Sequence, residues 1–157
     1  MRPISPFLWF DTQAEDAAKH YVSIFSNSKI LKVSRYGDAG PGPKGSVLTV
    51  TFDLDGQRFT ALNGGPRFKF TEAISFVIDC KTQEEVDHFW SKLSADGEES
   101  QCGWLKDKFG LSWQVIPTVL GELITDPDPA KSKRAMEAML KMKKIDIAAL
   151  RKAHDGH

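Results

Sequence analysis

Two stretches of this chain repeat one order of residues, and that echo constrains the fold more than any other feature. Asp53 to Ala61, DLDGQRFTA, lies over Asp107 to Val115, DKFGLSWQV, with Asp53 on Asp107, Gly56 on Gly110, Phe59 on Trp113 and Thr60 on Gln114. Upstream, Leu8, Phe10 and Asp11 lie over Phe76, Ile78 and Asp79, and each run leads into a helical pattern with Thr-Gln near its start, at Thr12-Gln13 and Thr82-Gln83. Few residues are identical, but their order is kept, and order is what a duplicated module preserves.

The second copy shows the pattern best. In Gln101 to Pro117, QCGWLKDKFGLSWQVIP, Gly103 opens a short strand through Trp104 and Leu105, Asp107 to Gly110 reads as a solvated tight turn, and Leu111 to Ile116 is the returning strand. Side chains alternate along a strand, so Ser112, Gln114 and Ile116 share one face and Leu111, Trp113 and Val115 the other. One face of the hairpin therefore carries an amide.

In chain order the first module reads as a buried strand over Ile4 to Phe10, a helix over Ala14 to Phe25, and strands over Lys29 to Tyr36, Ser46 to Leu54 and Gln57 to Asn63. The loop DAGPGPKG, Asp38 to Gly45, has three Gly and two Pro, too irregular for a plain hairpin, and is placed to flank a pocket mouth. Gly64-Gly65-Pro66 breaks the chain. The second module then takes a strand over Ile74 to Cys80, a helix over Gln83 to Leu93 stopped at Asp96-Gly97, a polar strand near Glu98 to Gln101, and the hairpin. Beyond Pro117, Thr118 to Ile124, Lys131 to Lys144 and Ile145 to His154 read as helical, with a proline-set start in Asp126 to Ala130. The apolar stripe Ala135, Met136, Met139, Leu140 and Met142 is assigned to core or dimer packing rather than to a cofactor. The expected division is 1–63 and 73–117 as β-α-β-β-β modules, 64–72 as linker and 118–157 as a helical extension.

Among 157 residues, Lys plus Arg equal Asp plus Glu at 21 each, so no net field draws the chain to nucleic acid or an anionic membrane. No apolar run approaches the ~20 residues of a membrane span. The two cysteines, Cys80 and Cys102, lack metal-type spacing and no secretory leader is evident, so a reduced, cytoplasmic setting is expected.

Two β-α-β-β-β modules whose last strands follow D-x-x-G turns resemble the vicinal oxygen chelate superfamily, the glyoxalase and bleomycin-resistance fold. TQAEDAAKHYVSIFSNSKI, SVLTVTFDLDGQRFTALNGGP, QCGWLKDKFGLSWQVIP and MKKIDIAALRKA together resemble its PhnB-like branch, whose members often carry the name 3-demethylubiquinone-9 3-methyltransferase. The resemblance runs nearly end to end. It implies an α+β fold whose paired modules form a cupped, incomplete barrel with a C-terminal helical tail, usually dimeric, with the ligand site inside the cup.

Metal enzymes of that superfamily place four ligands, typically His or Gln, Glu, His and Glu, on the first and last strand of each module. Carried over by alignment, those positions fall at Ser5, Thr60, Ala73 and Gln114, and a one-residue slip gives Pro6, Ala61 and Ile74. Divalent cations want carboxylates or imidazoles, so no tightly bound catalytic metal is expected. The methyltransferase name finds no cofactor motif either, since neither Asp38 to Gly45 nor Gly64-Gly65-Pro66 leads from a strand into a helix N-terminus; no cofactor is expected. What remains is a small-molecule binding protein with an aromatic and amide-lined cup: Phe7, Trp9, Thr60, Asn63, Ser75, Trp104 and Gln114. The alternative is an enzyme, a lyase, isomerase or transferase, using a loosely held divalent metal or Cys102. Asn63 has a second reading as a cap on the turn into Gly64.

Overall fold

The computed structural model describes residues 3–157, and the chain divides into two compact units, Met1–Phe70 and Thr71–His157. The first holds β1 (Phe7–Phe10), α1 (Ala14–Ile24), β2 (Lys29–Arg35), β3 (Val47–Leu54) and β4 (Gln57–Asn63). The second holds β5 (Ser75–Cys80), α2 (Gln83–Ser94), β6 (Glu98–Glu99), β7 (Trp104–Lys106) and β8 (Ser112–Pro117), then α3 (Thr118–Ile124), α4 (Pro129–Leu140) and α5 (Ile147–Asp155). The sheets are ordered β1-β4-β3-β2 and β5-β8-β7-β6. In each, the outer first strand runs parallel to the last and the other pairs are antiparallel. The duplicated α+β module expected from the echo is what the chain builds.

The helices α1 and α2 each cover one face of their own sheet. Along α1, Ala14, Ala17, Ala18, Tyr21 and Ile24 are buried, the apolar stripe of a 3.6-residue period. They meet Val50, Phe52, Phe59 and Ala61, all buried, and the Phe52 and Phe59 rings stack with centroids 5.5 Å apart. β1 begins three residues later than the apolar run suggests. Pro6 has no N–H for a ladder, although its carbonyl still accepts from Thr60 N at 3.1 Å. The N-terminus of α2 is closed locally, with Thr82 Oγ1 accepting from Glu85 N at 3.2 Å and Glu85 Oε2 accepting from Lys81 N at 2.8 Å.

The two hairpins share the D-x-x-G string but not the turn. In the first, Leu54 faces Gln57 across a two-residue loop in which Asp55 and Gly56 both have positive φ, 46° and 83°. In the second, Lys106 faces Ser112, and Asp107 N donates to Leu111 O at 2.9 Å, leaving Lys108, Phe109 and Gly110 as a three-residue loop with Gly110 at φ 89°. One added loop residue reverses the face on which the preceding strand sets its side chains relative to the echo. Asp53 therefore points away from the helix and pairs with Arg58 at 2.6 Å, while Asp107 turns into the core at 2 % exposure. The expected solvated turn holds at Lys108, which is exposed, and is corrected at Asp107. Asp107 Oδ1 accepts from Phe109 N (2.9 Å) and Leu111 N (3.0 Å), and Oδ2 from Trp113 Nε1 (2.9 Å).

The extension packs on itself and on β8. Leu120, Leu123, Ala135, Ile145 and Leu150 form its buried core, with Ile116, Met139 and Met142 against it. Part of the methionine stripe is therefore consumed within the chain, and Met136 and Leu140 remain exposed. The helical period predicts one helix through Lys144, but α4 stops at Leu140 because the following backbone has another partner. Cys102 N donates to Met142 O and Gly103 N to Lys143 O, both at 2.8 Å. Gly103 has φ 85°, and a Cβ there would meet Val115 O at 2.9 Å, so only glycine fits. Gln83 fastens the same segment, its Nε2 donating to Ile145 O (3.0 Å) and its Oε1 accepting from Ile147 N (2.8 Å). Among the described residues no helix is long and apolar enough to cross a membrane.

Candidate functional site

Strand alternation sorts the candidate residues by face. In the first sheet Phe7 lies opposite Thr60, and Trp9 opposite Leu62, on the face turned away from α1. Thr49 and Thr51 of β3 extend it, with Ser34 and Thr49 sharing a 2.5 Å hydroxyl contact. Trp9 is held from the side: Nε1 donates to Gly65 O at 2.8 Å, Phe68 meets the ring edge-on at 4.9 Å, and the indole fills the space a Cβ on Gly64 would need. The result is a hydroxyl-lined sheet face bordered by aromatics, with Phe7 61 % exposed.

Asn63 leaves this set. Two residues beyond Ala61, it projects to the helix side, where Oδ1 accepts from Ala14 N at 2.8 Å and Nδ2 donates to Val47 O at 3.2 Å. It supplies the cap that Gln13 does not, since Gln13 makes no side-chain cap bond to α1. The amide is spent on structure. It also walls a cavity of about 470 Å³ at that end of the first unit, between Asp11, Glu15, Tyr36 and the Pro41–Pro43 turn. The irregular glycine-proline loop does therefore border a pocket. The Tyr36 hydroxyl donates to Asn63 O at 2.5 Å, so the aromatic wall is fixed in place.

In the second sheet Ser75, Trp104 and Gln114 come together on the face turned away from α2. Trp104 stands directly across from Gln114, and Gln114 Nε2 donates to Ser75 Oγ at 2.9 Å. Pairing also refines the internal repeat. Thr60 and Gln114 occupy matching places, with partners Phe7 and Val77, so the first strands align two residues away from Leu8 over Phe76. A two-residue offset keeps every side chain on its face, and the hydroxyl beside Gln114 comes from Ser75 rather than from the level of Ala73.

Sequence reasoning missed the row beside these residues: Glu98 opposite Lys106, Lys106 opposite Ser112, and Ser112 opposite Ser75. The alternation already placed Ser112 with Gln114, but nothing in the sequence marked Glu72 as the partner of Lys106. That hydrogen bond lowers the Glu72 carboxyl below its ordinary value of 4.5 and, with Glu98 adding to it, raises the Lys106 ammonium above 10.5. Cys102 is half-buried at φ 60°, and burial pushes the Cys80 thiol up to about 12. Among the described residues no group of three or more His, Cys, Asp and Glu could hold a metal ion.

Comparison with known proteins places this geometry. A family model described as 3-demethylubiquinone-9 3-methyltransferase matches residues 2–116. A solved Bacillus cereus PhnB protein, whose title gives it that methyltransferase name as putative, is 38 % identical over 74 % of this chain and 100 % of its own, with a TM-score of 0.69. Protein PA1353 of Pseudomonas aeruginosa is 17 % identical over 74 % of this chain and 98 % of its own, at a TM-score of 0.63. The fosfomycin resistance protein FosX of Listeria monocytogenes is 14 % identical over 77 % and 94 %, at 0.54. The last two show the fold alone. No curated protein matches the chain.

Proposed function

Because the chain belongs to the 3-demethylubiquinone-9 3-methyltransferase family, the PhnB-like branch of the glyoxalase and bleomycin-resistance fold, we propose that it binds a small organic molecule on the sheet faces turned away from its helices. One observation carries this reading: Trp104, Gln114 and Ser75 stand side by side on one such face, an aromatic surface beside a hydrogen-bonding amide and hydroxyl. An indole offers apolar area at little entropic cost, and the amide can orient what stacks on it. Trp9, Phe7 and Thr60 give the first sheet an equivalent face.

The methyltransferase name is not adopted as an activity. A strand feeding a glycine-rich helix N-terminus is how the common S-adenosylmethionine site presents its amides. Here β1 leads into α1 through Asp11 to Gln13, without glycine. A purine stacked on Trp104 would be a different mode, and calorimetry with S-adenosylmethionine separates the cases. Micromolar binding lost in Trp104→Ala would restore the methyltransferase reading.

The protein acts as a homodimer in this proposal. Ile4, Phe7, Ile74 and Val77 are exposed on or beside the outer strands β1 and β5, at 83, 61, 69 and 54 %, and an outer strand with apolar side chains wants covering. The deciding experiment for function is a small-molecule screen by thermal shift on wild type and Trp104→Ala. Compounds should stabilise the wild type and not the variant, and hits indifferent to Trp104 would remove this face from the function.

A further inference from the structure

A small cavity on the second sheet narrows the ligand's chemical class. It measures about 130 Å³ and is lined by Trp104, Lys106, Ser112, Glu72 and Glu98 among others. Its floor is the cross-strand row Glu98, Lys106 and Ser112, with Ser75 across from Ser112 just outside it, one step along from the pair Trp104 and Gln114. Ser112 is 1 % exposed, and its hydroxyl oxygen, sealed from solvent, meets no hydrogen-bond partner among the described residues. The adjacent hydroxyl of Ser75 already accepts from Gln114. Buried polar groups are almost always satisfied, and one that is not, in the wall of a cavity, points to something that satisfies it.

The charge beside Ser112 decides what that is. Lys106 is the next residue in the row, and its ammonium pairs with Glu72, whose side chain is 60 % exposed. An amine entering here would stand against that ammonium. A carboxylate could take the place Glu72 holds on Lys106 while Glu72 turns to water, and the Lys106 side chain, drawn aside with it, would open the Ser112 hydroxyl as a second donor. The exchange leaves the local charge count unchanged, because one carboxylate replaces another, and a screened, half-exposed ion pair gives way readily. Glu98, exposed and directly across from Lys106, and Glu99, whose Oε1 accepts from Trp90 Nε1 at 2.7 Å, also line the cavity and add negative charge, so an incoming carboxylate has to displace Glu72 from Lys106 rather than join it.

We propose that this cavity receives the carboxylate of a small organic acid, one oxygen accepting from Ser112 Oγ and the other from Lys106 Nζ in place of Glu72, with the acid's apolar body against Trp104. At roughly 30 Å³ of liquid volume per water, the cavity admits the carboxylate and a few carbons. The remainder of the molecule extends over Trp104 toward Gln114. The proposal rests on the small-molecule reading above and specifies its ligand.

The test is amide and indole NMR of the full chain titrated with benzoate, benzamide and benzylamine. Benzoate should shift Trp104, Lys106 and Ser112, and the other two should not at equal concentration. Glu72→Gln, which removes the competitor without touching the sheet, should tighten benzoate about threefold. Ser112→Ala should weaken it about tenfold, and Lys106→Met should abolish it. Benzylamine or benzamide binding as well as benzoate would overturn the proposal, as would unchanged or weaker benzoate binding in Glu72→Gln. If screened compounds bind this face through Trp104 with no preference for carboxylates, this proposal fails and the broader function stands. If nothing binds the face at all, both fail.

Discussion

Replacing Asp107 should be among the most damaging single changes in the second unit. The carboxylate is 2 % exposed and satisfies three donors, Phe109 N and Leu111 N on Oδ1 and Trp113 Nε1 on Oδ2. Leu111 and Trp113 are each 2 % exposed, so in Asp107→Ala their N–H groups lose an acceptor where water cannot replace it. Each orphaned buried donor costs about 1–3 kcal/mol. Two such donors give a loss near ~4 kcal/mol, with the half-buried Phe109 N–H adding little, against a total stability of about 5–15 kcal/mol for a domain. Asp107→Asn keeps an oxygen for the two backbone donors but sets its NH₂ against the indole N–H, and should cost about 1–3 kcal/mol. Urea unfolding followed by far-ultraviolet circular dichroism measures these losses. The decisive variant is the double one, Asp107→Asn with Trp113→Phe, in which the facing donors no longer oppose each other. It should be more stable than the sum of its parts predicts by about 1–2 kcal/mol. An Asp107→Ala protein within 1 kcal/mol of wild type, or a strictly additive double variant, would refute the view that this turn is organised by its buried carboxylate.

Other expectations follow from burial and charge. Iodoacetamide on the native protein should alkylate Cys102 alone, as read by mass spectrometry, because Cys80 is buried with its thiol pushed up to about 12 and the thiolate is the nucleophile; equal labelling of both would contradict the buried placement. Light scattering should give dimers for the wild type and monomers for Phe7→Asp with Val77→Asp; a monomeric wild type would refute the dimer, and a dimer unchanged by the substitutions would clear β1 and β5 of the interface. The Glu72–Lys106 pair has a two-sided pH window. Its carboxyl is lowered on folding, so that contribution is complete above 4.5 and lost as pH falls through the depressed value; its ammonium is raised, so that contribution is complete below 10.5 and lost as pH rises past the elevated value. Thermal melts of wild type minus Glu72→Gln should therefore differ most near neutrality and converge at acid pH, and a difference unchanged down to pH 2 would show that the pair contributes nothing.

How much of this was legible beforehand depended on what each feature rests on. Helix and strand identities rest on periodicity, and Gln57 to Asn63 and Thr118 to Ile124 read directly from it, while the helix expected over Ala14 to Phe25 stops one residue earlier, at Ile24. The grouping of Ser75, Trp104 and Gln114 follows once the strands are in register, since alternation alone fixes the face. Asp107 was misread because the sequence echo equates it with Asp53, and a loop one residue longer changes its face without changing the string. Asn63 was half legible: its place at a strand end suggested a cap, but the helix it caps begins 49 residues earlier in the chain, at Ala14. The Glu72–Lys106 pair and the unpartnered Ser112 hydroxyl depend on three-dimensional neighbours that no local pattern encodes.

The two bonds that join Cys102 and Gly103 to Met142 and Lys143 run from main chain to main chain. Such a junction places no demand on the side chains of the segment that accepts, so Lys141 and Lys143 are free to drift in kind while the number of residues is held, whereas Met142 is tied by its packing against the extension's core and Lys144 by its ion pair with Asp87. Inheritance here should show as a fixed interval between α4 and α5 rather than as preserved letters. The family model ends at residue 116, before this segment begins. A relative with a shorter tail must give the two amides at the mouth of its hairpin some other acceptor, or leave them to water and lose the fixed entry into the strand that carries Trp104.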